Sequence, residues 1–169
     1  MANGEERLVV LDAGPIIHLD ELQCLRLLAG FQALYIPSAV WQEIVHHRPE
    51  LTLAQIPQAA ILDPATALPP RLASAPDTAQ LHPGEIAALA LLLELENGLF
   101  LSDDDAARQM AESLGFEVTG TLGILLRGVR REQITREQAA RIVRDIRSHS
   151  TLHVSRNLLE RLLRILAGA

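Results

Sequence analysis

No lysine occurs anywhere in the 169 residues, so all 15 of the strongly basic side chains are arginines. That absence excludes, in standard form, two kinds of α/β phosphate enzyme that rely on a lysine: the haloacid-dehalogenase-like phosphatases and the response-regulator receivers. A P-loop is excluded too, because the GxxxxGK[ST] run is not there. The lone Cys24 rules out a disulfide framework and a cysteine-rich zinc site, and suits a reducing compartment. Aromatic residues make up only 3% of a chain that is 49% apolar, a balance that suits helices packed on a sheet better than an aromatic-rich barrel. The longest apolar run, 86–93, is too short to span a bilayer, and the opening MANGEER has no apolar stretch of the kind a secretory signal needs. A cytoplasmic protein with no membrane partner is expected.

The length suits one domain spanning 1–169, with a core over about 7–131 and C-terminal helices over about 135–167. The net charge of −6 argues against a generic nucleic-acid binder held by bulk charge. The charge is uneven, however. Between 121 and 149, Arg127, Arg130, Arg131, Arg136, Arg141, Arg144 and Arg147 face only Glu132, Glu137 and Asp145. A local surface for a polyanion therefore remains open, although Glu137–Arg141 and Arg141–Asp145 also read as ordinary i,i+4 pairs on an exposed helix.

Apolar periodicity predicts strands over 7–11, 33–36, 59–62, 98–102 and 116–118. It predicts helices from Ile16 to a stop at Gly30, from Val40 to about Arg48, from His82 to about Glu96, and over 103–114 with Gly115 as the stop. Three more follow at 121–131, 135–148 and 155–167. The segment 63–82, with Pro64, Pro69, Pro70 and Pro76, reads as a long loop. Strands alternating with helices over the first 120 residues imply a three-layer αβα fold with a parallel sheet, on which the helical C-terminal tail packs.

In such a sheet, ligands bind beyond the carboxyl ends of the strands. Asp12 directly follows the first strand, and Asp103, Asp104 and Asp105 follow the GLFLS strand. Glu43 lies one turn into the helix after the second strand, and Glu85 opens the helix that feeds GLFLS. Each has a bland reading. Asp12 could be a turn residue bonding its own backbone, the aspartates could cap a helix and complement its dipole, and Glu43 could be a surface residue. Taken together these readings lose, because two carboxylates ~4 Å apart repel by about 4 kcal/mol at an effective dielectric of 20. A hard divalent cation, Mg²⁺ or Mn²⁺, is the cheapest relief. Histidine offers no competing zinc site: His46 and His47 are adjacent and project in different directions, and no HExxH run exists.

The segments LVVLDAGPIIHL (8–19), YIPSAVWQEIV (35–45), HPGEIAALALLLELENGLFLSDDDAAR (82–108) and LGFEVTGTLGILL (114–126) resemble, in order and spacing, the PIN domains. The likeness is to the prokaryotic branch related to the toxins of VapBC-type toxin–antitoxin modules. It implies an acidic pocket binding Mg²⁺ or Mn²⁺ and ribonuclease activity on single strands. Asp12, Glu43, Glu85 and Asp104 match the family's acids and are the expected catalytic and metal-binding residues. Asp103 is a further candidate ligand, and the choice among Asp103, Asp104 and Asp105 stays open. Ser102 stands where the family has threonine in a Thr-x-Asp turn, Thr121 occupies the region of a further downstream acid, and Arg108 is a candidate for phosphate contact. These three are the expected substrate-binding residues. Gly14 stands where many relatives have Ser or Thr.

The expected chemistry is metal-assisted hydrolysis of RNA phosphodiesters, with activated water attacking phosphorus in line. The candidate partners are an RNA substrate, an antitoxin protein and a second copy in a homodimer. The rival reading is a degenerate PIN fold that binds nucleic acid or protein without catalysis.

Overall fold

Strands that are apolar at consecutive positions, such as LVVL and GLFL, need cover on both faces, which parallel sheets between helical layers supply. The computed structural model describes residues 8–96 and 98–168. Its strands β1 (Leu8–Leu11), β2 (Leu34–Ile36), β3 (Ala59–Ile61), β4 (Gly98–Leu101) and β5 (Glu117–Thr119) form a five-stranded parallel sheet in the order β3-β2-β1-β4-β5. Arg7, expected at the start of the first strand, lies outside the described residues.

The order contains a reversal. The chain steps outward from β1 to β2 to β3, then crosses back to place β4 against the other side of β1. The register across that junction pairs Leu8 with Gly98 and Leu11 with Leu101, so the two strands end level. Such a reversal opens a crevice between two neighbouring carboxyl ends, because the loops leaving them part to opposite sides.

The helices are α1 (Ala13–Glu21), α2 (Ser38–His47), α3 (Pro70–Ala73), α4 (Pro83–Leu95), α5 (Asp105–Ser113), α6 (Thr121–Arg130), α7 (Arg136–His149) and α8 (Arg156–Leu166). In one layer α4 packs on β1 and β4 and touches α2 and α5. In the other, α6 packs on β5, α1 and the 3₁₀ turn Leu25–Gly30. The tail joins that second layer, α7 lying on α6 and α8 on α7. This is the expected three-layer αβα fold.

Two elements differ from expectation. The helix begun at α1 does not run on to Leu28. It stops at Glu21, with Gln23 at φ 56° and Cys24 N–H returning to the Leu19 carbonyl at 2.8 Å, a Schellman-type stop built without glycine. The break turns the chain so that Leu27 and Leu28 still reach the core. Within 63–82, α3 and a 3₁₀ turn at Thr78–Gln80 give the loop local structure, and Leu72 anchors it by full burial. Among the described residues no helix is long and apolar enough to cross a membrane.

Candidate active site

The level ends of β1 and β4 place Asp12 beside Ser102. Asp12 N–H bonds the Leu101 carbonyl at 2.9 Å, which continues the strand pairing by one residue. The Ser102 hydroxyl then donates to Asp12 Oδ2 at 2.9 Å and itself accepts Asp104 N–H at 3.2 Å. The backbone of the β4–α5 turn thus orients a hydroxyl that steadies an acid 90 residues earlier in the chain. Asp12 is only 5% exposed. Burial pushes its carboxyl up from the usual 3.8 to about 7. Bonds from Ala13 and Ser102 work against that rise, while the charges of Glu85 and Glu43 add to it.

Glu85 reaches the same crevice from the first turn of α4. That helix is apolar nearly all round and its interior positions are buried. Pro83 at its first position fits the φ a helix start needs, and Glu85 Oε2 accepts His82 N–H at 2.8 Å. Glu85 is 7% exposed. Burial raises its pKa, and the charges of Asp104 and Glu43 raise it further against the His82 bond.

Glu43 comes within electrostatic reach because α2 lies close to the start of α4. Gly84 permits that approach: a Cβ there would stand 3.2 Å from Glu43 Oε2 and 3.7 Å from the Val40 Cα. Glu43 is exposed, as is Asp104, whose Oδ1 caps α5 by accepting Ala107 N–H at 2.9 Å. The four acids therefore meet at one rim as a linked set of charges. Yet among the described residues no group of three or more Asp, Glu, His or Cys converges closely enough to hold a metal ion.

The three successive aspartates do three different jobs. Asp104 is the cap of α5, and Asp105 is an exposed first-turn acid of the same helix. Asp103 turns the other way, towards α6. It accepts Thr121 N–H at 2.8 Å and Thr121 Oγ1 at 2.6 Å, and its Oδ2 lies 2.8 Å from His18 Nδ1. Burial alone would raise its pKa, but the bonds from His18 and Thr121 outweigh burial and hold it below the usual value. Gly120 makes room, since a Cβ there would run into the Asp103 carboxylate.

Two of the residues expected at substrate lie inside. Ser102 is fully buried and Thr121 is 2% exposed, and both spend their hydroxyl hydrogens on aspartates. Arg108 is half-buried, with Nη1 donating to the Ser102 carbonyl at 2.8 Å. His18 is the participant that the sequence does not reveal. It stands 85 residues from its partner, and no spacing links it to Asp103. Gly14, by contrast, has room for a Cβ, which would meet Asp103 Cβ at 3.5 Å.

The donor set fits a hard divalent cation in kind: it is carboxylate oxygen throughout, and burial disfavours the charge on Asp12 and Glu85 unless a counter-charge is supplied. Comparison with the curated proteins finds none that matches. Residues 8–168 match the family described as the PIN domain, whose members are generally nucleases and typically use divalent metals. With that match covering nearly its whole length, the chain belongs to the PIN-domain family.

Proposed function

We propose that the protein is a Mg²⁺- or Mn²⁺-dependent endoribonuclease that hydrolyses phosphodiester bonds in single-stranded RNA. The observation that carries this reading is the burial of Asp12 at the switch point, with its pKa pushed up to about 7 and two further acids in electrostatic reach. An unpaired buried carboxylate is costly, and a crevice that gathers several is a seat for a cation. Asp12 and Glu85 would hold the ion from below, and the exposed Glu43 and Asp104 from the rim. When bound, the ion supplies charge neutralisation at the phosphate and activates water for attack.

The chain's own residues do the rest. Ser102 keeps the Asp12 carboxylate in one orientation, and the His82 N–H does the same for Glu85 Oε2. Asp103 draws on Thr121 and His18 to fix the β4–α5 turn against α6, so it positions the site. Arg108, held by the Ser102 carbonyl, has nitrogens left for a phosphate oxygen. A single domain covering the described residues is part of the same reading, supported by one continuous apolar core that draws on strands and helices from Val9 to Leu166. Restraint by an antitoxin protein, as in VapC-type toxins, rests on the likeness of the motifs alone.

The test is cleavage of single-stranded RNA by purified protein with Mn²⁺ or Mg²⁺, with and without EDTA. Activity should vanish with EDTA and in Asp12→Asn and Asp104→Asn. Unchanged cleavage in both variants would sink the site. A second reading, a PIN fold kept for binding without catalysis, draws on the lack of three converging ligands among the described residues. Calorimetric titration separates the two: Mn²⁺ binding that disappears in Asp12→Asn supports the nuclease, and no binding in the parent chain supports the scaffold.

A further inference from the structure

Between the acidic rim and the C-terminal helices lies a cleft of about 530 Å³. Asp103, Asp105 and Arg108 form its near side, so it borders the β4–α5 turn that also carries Asp104. Leu122 and Leu126 of α6 line its floor, and Leu158, Arg161 and Ile165 of α8 its far side. Leu158 and Ile165 are 45% and 48% exposed, while Leu159, Leu162 and Leu166 of the same helix are buried.

The connection between α7 and α8 closes one end and is firmly held. Glu21 of α1 accepts the Ser150 hydroxyl at 2.8 Å, Thr151 N–H at 2.7 Å and the Thr151 hydroxyl at 3.0 Å. His153, which lines the cleft, has Nδ1 2.9 Å from the Thr151 carbonyl oxygen. A carbonyl only accepts, so Nδ1 carries the hydrogen and the ring is held in place. The cleft is therefore built before any ligand arrives.

Its lining has two characters. One half is apolar with a fixed imidazole. The other is charged: Arg108 and Arg161 stand there with the exposed Asp105 and with Asp103, whose carboxylate is taken up by Thr121 and His18, and among the described residues no carboxylate pairs with Arg161. The surrounding chain is basic: residues 121–168 hold ten arginines against Glu132, Glu137, Asp145 and Glu160, within a protein of net charge −6. A nucleotide has the matching pair of properties, a flat base that stacks on imidazole or lies on apolar side chains and a phosphate that seeks guanidinium. A second copy fits less well, since α8 against α8 across a two-fold axis would set Arg161 and Arg164 near their own copies.

We propose that this cleft seats one unpaired nucleotide of an RNA strand whose neighbouring phosphodiester reaches the acidic rim; the second clause rests on the nuclease reading above. The base lies over Leu122, Leu126 and Leu158 beside His153, and the phosphate bridges Arg108 and Arg161.

The experiment measures anisotropy of a short fluorescein-labelled oligouridine with the full chain in EDTA, which removes catalysis from the readout. Leu158→Gln and Arg161→Gln change exposed side chains and should leave the melting temperature unaltered while weakening binding about tenfold each. Zero-length photocrosslinking of 4-thiouridine RNA to the parent protein should label peptides from 152–165. Duplex DNA of equal length should bind at least about tenfold more weakly, because its bases are not free to enter. The proposal is overturned by affinity unchanged in both variants, by equal affinity for the duplex, by crosslinks that avoid 152–165, or by Leu158→Gln converting a dimer to monomers at constant RNA affinity. RNA binding and crosslinking without metal-dependent cleavage would sink the nuclease reading alone; cleavage indifferent to both variants would sink the cleft alone.

Discussion

Asp12 and Asp103 emerge from adjacent strands at the same edge of the sheet, yet their carboxyls are driven in opposite directions. Asp12 has the Ser102 hydroxyl and one backbone N–H, and burial prevails, pushing it up to about 7. Asp103 has Thr121 twice and His18, and those donors prevail, holding it low. Asp12 also lies deeper, Asp103 being only partly buried. Depth and the number of donors each acid meets together decide which way its carboxyl is driven.

Four measurements can break or sharpen that contrast. The largest effect is expected in catalysis: Asp12→Asn should reduce metal-dependent RNA cleavage by about a thousandfold, roughly 4 kcal/mol of barrier. Retention of most activity would make Asp12 no different from a structural acid. Next, Asp103→Ala strips partners from Thr121 and His18 and should cost about 3 kcal/mol in urea unfolding, through lost charge-assisted bonds and an orphaned N–H. A loss below about 1 kcal/mol would show that Asp103 ties nothing.

Third comes a stability gain. Because the folded-state pKa of Asp12 lies above its usual 3.8, the folded protein favours the protonated form, and this group's contribution falls as pH rises from about 4 to 7. Asp12→Asn should therefore stabilise the metal-free protein at pH 8 by about 2 kcal/mol, raising its melting temperature by several degrees, and Mn²⁺ should erase the difference by stabilising only the parent. Asp103 has the reverse sign: its contribution is present above the ordinary carboxylate pKa and is lost as pH falls through its lowered value. The smallest effect is Ser102→Ala, which removes one donor to Asp12. It should cost about 1 kcal/mol and move the pH midpoint of metal-free stability upwards, a shift that denaturation profiles at several pH values would detect.

Much of this geometry was legible from residue order. Short runs of consecutive apolar residues marked buried parallel strands, and acids directly after two of them marked the crevice, because the carboxyl ends of such strands are where side chains leave the sheet. Helix ends were harder. Gly115 announced the end of α5, whereas Gln23 and Glu132 adopt the same left-handed conformation (φ 56° and 58°) and end their helices with no glycine to flag them. The division of labour among Asp103, Asp104 and Asp105 was hidden as well. They are consecutive residues, and only the turn between β4 and α5 decides which faces α6, which caps α5 and which faces outwards. Ser102 and Thr121 were expected at the substrate from the places they hold in the PIN-like motifs. Burial turned both inwards.

The crossover that returns the chain from β3 to β4 also governs when the site can exist. The hydroxyl partner of Asp12 follows 90 residues after it, once an outer edge of the sheet has been laid down. A ribosome-bound chain that has not reached Ser102 carries only one half of the crevice. A cut in the exposed connection around Leu68 would part Asp12 and Glu43 from Glu85 and Asp104, leaving two pieces with half of the crevice each.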